Sequence, residues 1–125
     1  MTAAGSSRAP TEPEVLTVRR RDALVELELS LPPGLLYFAG HFDGFAVLPG
    51  VVQLHWAIGL ARAYLPVGRC LPAEMQIKFR RPIRPEARLT LRIALAGTAG
   101  RQQLTFDYRC GDTPCSSGKI TLCGA

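Results

Sequence analysis

The chain has 125 residues, 47% hydrophobic and 20% charged, which suits one domain with a single core and is too apolar for a disordered chain. Mean hydropathy is +0.12. The longest apolar stretch, Ala46 to Leu65, is interrupted by Pro49, Gln53, His55 and Arg62, which excludes a membrane span. The net charge is +5 and thirteen of the fifteen bases are Arg. That surface suits an acidic partner, whether nucleic acid, an anionic lipid surface or an acidic protein, or is an ordinary solvated face.

Residues 1–13, rich in Ala, Gly, Ser, Thr and Pro, read as a flexible tail ahead of a single domain over 14–125. They hold no apolar signal core, so a cytoplasmic protein is expected. Val15–Val18 reads as a strand, Arg19–Asp22 as a polar turn, and Ala23–Leu31 as a half-buried strand with period-two alternation; together they form a hairpin. Pro32-Pro33-Gly34 ends it, and a loop runs through Gly40-His41-Phe42-Asp43-Gly44. Pro49-Gly50 then opens a helix, Val51–Leu65, which Pro66 and Gly68 close. This helix is apolar on almost every face, so it should be buried on nearly all sides, with a sheet wrapped around it. Four strands follow, at Glu74–Arg81, Arg88–Ala96, Gln102–Cys110 and Ser117–Cys123. Two strands, one long helix and four strands, with no βαβ alternation, make an α+β fold and argue against a doubly wound sheet.

The four cysteines, at 70, 110, 115 and 123, have no C-x-x-C spacing and lie far in sequence from both histidines. No metal site is expected, and Cys110 and Cys123 read as ordinary strand positions.

The chemistry concentrates in Gly40–His55, GHFDGFAVLPGVVQLH. A histidine stands in a Gly-flanked loop, a Pro-Gly pair puts free backbone N–H groups at a helix N-terminus, and a second histidine lies five residues further on. Helix N-terminal amides are ready donors to an oxygen gaining negative charge. Histidine is the usual general base at neutral pH. On spacing alone, His41 reads as a structural or exposed loop residue, and His55 as a hydrogen-bonded core histidine.

This stretch resembles the signature of the small hot-dog-fold 3-hydroxyacyl-[acyl-carrier-protein] dehydratases of the FabZ and FabA class, with Gly40, His41, Phe42, Pro49, Gly50 and Val51 in register. Lys78-Phe79-Arg80-Arg81-Pro82-Ile83-Arg84-Pro85 is similar to the family's segment after the helix. The wording LPGVVQLHWA looks most like the ApeI-like branch attached to aryl-polyene pathways. The chain departs from the class at Asp43 and Ala46, where it has prolines; at Glu86-Ala87, where it has Gly-Asp; and at His55, where its catalytic carboxylate stands.

The resemblance implies a curved antiparallel sheet wrapped around one central helix. It implies dehydration of a 3-hydroxyacyl thioester to the trans-2-enoyl thioester, without metal or organic cofactor. In that reading His41 is the base, the Gly50 N–H holds the thioester carbonyl, and His55 stands in for the acid. Trp56, Ile58 and Leu60 are helix core, while Phe45, Leu48 and Val51 join Gly50 as substrate-binding candidates. Lys78, Arg80, Arg81 and Arg84 would receive an acidic acyl carrier protein. The family builds each site from two subunits, so a homodimer or a heterodimer with a related dehydratase subunit is expected. In a dry site the neutral imidazole is favoured, so His55 would make activity sensitive to pH. The competing readings are an acyl thioesterase, with Asp43 the nearest carboxylate, and a non-catalytic dehydratase-like subunit.

Overall fold

The computed structural model describes residues 12–31, 48–68, 70–84, 88–98 and 100–124. The elements run β1 (Glu14–Arg21), β2 (Leu24–Ser30), α1 (Gly50–Tyr64), β3 (Cys70–Phe79), β4 (Arg88–Thr98), β5 (Arg101–Cys110) and β6 (Thr113–Gly124). The six strands form one antiparallel sheet in the order β1-β2-β4-β5-β6-β3. The expected succession of two strands, a helix and four strands is present.

Two adjacent rows across this sheet show what the alternation does. One row runs Val18, Leu27, Leu91, Tyr108, Ser116, Phe79. Its four middle members are buried, and its ends on the edge strands are exposed. The next row runs Arg19, Glu26, Arg92, Asp107, Ser117, Lys78, and there Arg92 pairs with Glu26 at 3.1 Å. One residue of register thus separates the core face from a charged outer face. Each fully buried Leu on the inner face contributes about 1.5–3 kcal/mol of burial free energy.

Arg19–Arg21 are not a turn. They extend β1, opposite Glu26, Val25 and Leu24, and the reversal falls on Asp22-Ala23, with Asp22 at φ 53°. Asp is among the few non-glycine residues that enter this left-handed region readily. Charged residues on an edge strand also discourage pairing with another sheet.

The helix is covered on one side only. Val52, Gln53, Trp56, Ala57 and Ala61 form its buried stripe, while Val51 is 72% exposed and His55, Gly59, Arg62 and Ala63 are also exposed. The expectation of burial on nearly all sides fails on the isolated chain, because one sheet covers one face of a helix. Trp56 belongs to the core, and Ile58 and Leu60 pack partly against it. Among the described residues, no helix is long and apolar enough to cross a membrane.

Candidate active site

The start of α1 is set by backbone geometry. Pro49 is the N-cap, in extended conformation and without a side-chain cap; its carbonyl accepts from the N–H groups of Val52 and Gln53, both at 3.1 Å. The N–H groups of Gly50 and Val51 lie ahead of the first intrahelical bond, and among the described residues neither has an acceptor. They carry the positive end of the helix dipole.

Gly50 lines a cavity of about 400 Å³ with Leu48 and Pro49 on the helix side and Phe79, Arg80 and Arg81 on the strand side. The Phe79 ring lies so close to Gly50 that a methyl group there would overlap it. Leu48 forms a wall of this cavity and also belongs to the core, with its N–H donating to the Ile83 carbonyl at 2.7 Å. The cavity is therefore bordered by a residue whose amide has no acceptor among the described residues, by an aromatic ring and by two arginines. That combination suits a carbonyl oxygen on an apolar chain delivered by an anionic carrier.

The structure brings together only part of the expected site. His41 and Phe45 lie outside the described residues, as do Asp43 and Glu86-Ala87. Val51 points away from the Gly50 cavity into the open. His55 is exposed and lines a different cavity, of about 260 Å³, with Glu12, Val15, Trp56 and Leu60. The dry surroundings expected around its imidazole are absent from the isolated chain.

The basic patch is divided as well. Arg80 and Arg81 border the Gly50 cavity, whereas Lys78 lies on the charged outer face, in a depression of about 480 Å³ shared with Asp107, Ser117 and Lys119. Arg84 is exposed beyond the buried Ile83. Among the described residues, no three His, Cys, Asp or Glu side chains converge to hold a metal ion.

Sequence reasoning missed a buried polar network beneath this helix end. Gln53 Nε2 donates to the Leu48 carbonyl at 3.0 Å. Ser116 Oγ donates to Gln53 Oε1 at 2.7 Å, and the Tyr108 hydroxyl donates to the Gln53 carbonyl at 2.6 Å. Burial pushes the Tyr108 hydroxyl far above the ordinary tyrosine range. The available signals were a single amide in the apolar run GVVQLHWAIG and a tyrosine at a core-facing position of β5.

Next to this network, Cys115 is the extra residue of a bulge between Tyr108 and Arg109 on β5 and their partners on β6. Its carbonyl accepts from the Arg80 and Arg81 N–H groups at 2.8 and 3.1 Å, which fixes the strand side of the cavity. Its thiol lies 3.2 Å from Cys110 Sγ. Burial, with that neighbouring thiol, pushes the Cys110 thiol up to about 12.

A family model described as ApeI-like, ApeI dehydratase, matches residues 17–119. The dehydratase heterocomplex ApeI:P from Xenorhabdus doucetiae is similar in structure: TM-score 0.77, 28% identity, covering 91% of this chain and 100% of that one. An uncharacterized protein from Erwinia carotovora subsp. atroseptica has a TM-score of 0.71 and 36% identity over 90% of this chain and 96% of its own. A mutant form of the thioesterase PA1618 from Pseudomonas aeruginosa, at 14% identity, shares the fold, with a TM-score of 0.63 over 89% of this chain and 79% of its own. No curated protein matches significantly in sequence.

Proposed function

The chain belongs to the ApeI-like dehydratase family and has the hot-dog fold, and on that premise we propose that it removes water from a 3-hydroxyacyl thioester carried on an acyl carrier protein. The product is the trans-2-enoyl thioester. The observation that carries this reading is Gly50, whose amide has no acceptor among the described residues, bordering a cavity lined by Phe79, Arg80 and Arg81.

In this reading His41 takes the α-proton, and the electron pair moves toward the thioester carbonyl. The Gly50 N–H holds that oxygen as enolate character develops. The pair then returns to form the α,β double bond as the β-hydroxyl leaves. A His55 N–H donates a hydrogen bond to the departing hydroxyl, which takes up the proton held by His41 and leaves as water. The Arg80 and Arg81 guanidinium groups attract the acidic carrier, acting mainly on encounter rate.

Gly50 and His55 of one chain border separate cavities, which supports a site completed by a second subunit. The sheet edges favour the same reading. Edge strand β1 has a charge, Arg20, opposite core-facing Val25, whereas edge strand β3 exposes Met75 and Phe79 at 53% and 55%. Pairing through β3 would cover that apolar edge, with a second copy or with a related subunit; the similar ApeI:P dehydratase is itself a heterocomplex.

The test is loss of one water from 3-hydroxyacyl carrier-protein thioesters, aliphatic and aryl, followed by intact mass, with wild type, His41→Ala and His55→Ala compared. Wild-type turnover, abolished in His41→Ala and cut about tenfold or more in His55→Ala, supports the dehydratase. The second reading is a non-catalytic partner subunit, favoured by a histidine where the related class has a carboxylate. A folded, assembled chain that removes no water from either substrate supports that reading. Release of free carrier thiol would point to a thioesterase.

A further inference from the structure

We infer that Gln53 is a positioning residue, a buried strut that fixes the Gly50 amide in the direction the thioester carbonyl requires; this rests on the dehydratase reading given above. Gln53 is 3% exposed on the core-facing stripe of α1. An unbonded primary amide there would be costly to desolvate, and an apolar side chain of the same volume would fill the space without that cost. Both ends of the amide are bonded instead. Its nitrogen reaches back five residues to the Leu48 carbonyl, a residue that has already left the helix. Its oxygen accepts from Ser116 on β6, and its own carbonyl accepts from Tyr108 on β5.

Leu48 is consequently held at both polar groups, by Ile83 through its N–H and by Gln53 through its carbonyl. Pro49 has a fixed φ. Gly50, next in the chain, lacks a side chain to anchor it, so its orientation depends on these neighbours.

The far end of the strut is also informative. Ser116 directly follows the bulge residue Cys115, whose carbonyl holds Arg80 and Arg81. Two consecutive residues of β6 therefore anchor both walls of the Gly50 cavity, one through Gln53 and one through the strand segment. Gln53, which also lines the cavity, keeps these walls in register through its bonds to Leu48 and Ser116.

The test compares Gln53→Met and Ser116→Ala with wild type in three measurements: thermal midpoint, kcat and KM on a 3-hydroxyacyl carrier-protein thioester, and amide hydrogen exchange at positions 52 and 53, whose N–H groups are bonded to the Pro49 carbonyl. The expected result for Gln53→Met is a folded protein with KM within about threefold, kcat down about tenfold or more, and faster exchange at positions 52 and 53. Ser116→Ala, the smaller change, should move kcat and exchange in the same direction by a lesser factor. Unchanged kcat and exchange in folded Gln53→Met overturns the inference. So does a kcat loss in both variants that only follows a fall in the folded fraction. If Gln53→Met does not fold, Ser116→Ala decides by the same criteria. If wild type turns over no substrate, the dehydratase reading fails on its own, and exchange at positions 52 and 53 alone decides whether Gln53 fixes this helix end.

Discussion

The Phe79 ring rests on the backbone of Gly50, so that the last residue of β3 closes over the first residue of α1. Any side chain at position 50 must displace the ring. Phe79 is more than half exposed at a sheet edge, so the ring can swing outward and the fold survives. Gly50→Ala should therefore cost only about 1 kcal/mol in urea denaturation. In a Phe79→Ala background the same substitution should cost almost nothing, a coupling of about 1 kcal/mol in a double-mutant cycle. Equal costs in the two backgrounds would show that the ring is not what constrains Gly50.

Edge strand β3 is expected to carry self-association. Met75 lies on the core-facing side, opposite Ile120, yet is half exposed. A charge there would be buried by a pairing sheet and left uncompensated. Met75→Glu should shift the molar mass measured by light scattering toward the single chain, by at least about tenfold in dissociation constant. Val18→Glu, at an exposed core-facing position of the opposite edge strand β1, should leave the mass unchanged. The reverse pattern would move the interface to β1.

The succession of strands along the chain and the helix were legible because they rest on local pattern. Alternation over Leu24–Ser30 and Leu104–Tyr108 marks core-facing residues directly. Pro49-Gly50 marks the helix start. What escaped the sequence depends on tertiary partners. Arg19–Arg21 look like a turn until Leu24–Glu26 are seen opposite them. The helix run GVVQLHWAIG is apolar on most faces, so its sequence does not say which face the sheet covers. Gln53 meets Ser116 across 63 positions of chain, and no local pattern anticipates such a bond. The motif around His41 and Gly50 was legible only as a resemblance. Its second histidine shares no cavity with Gly50 on one chain.

Alkaline pH should destabilise the protein through Cys110 and Tyr108. Both are acids held neutral by burial, with Cys110 pushed from 9.0 up to about 12 and Tyr108 raised further. An acid whose proton is held more tightly in the fold contributes stability that is complete below its unfolded value and is lost as pH rises through the folded value. Under reducing conditions, the urea midpoint should not respond to these two groups from pH 6 to about 8, and should fall from about pH 9 upward. Cys110→Ala should fall less steeply between pH 9 and 11 than wild type. Parallel curves for the two proteins would exclude the thiol as a cause.

Subunit mixing tests whether the two histidines act in one site. If His41 of one subunit works with His55 of the other, His41→Ala and His55→Ala homodimers are each impaired at both sites. A mixed dimer then carries one site with both substitutions and one with neither. Random exchange puts half of the dimers in the mixed form, each with one intact site of two, so activity should recover to about a quarter of wild type. Recovery should require conditions that let subunits exchange, and should be lost when each variant is cross-linked beforehand. If both histidines of a site came from one chain, every site in the mixture would lack one of them, and mixing would restore nothing.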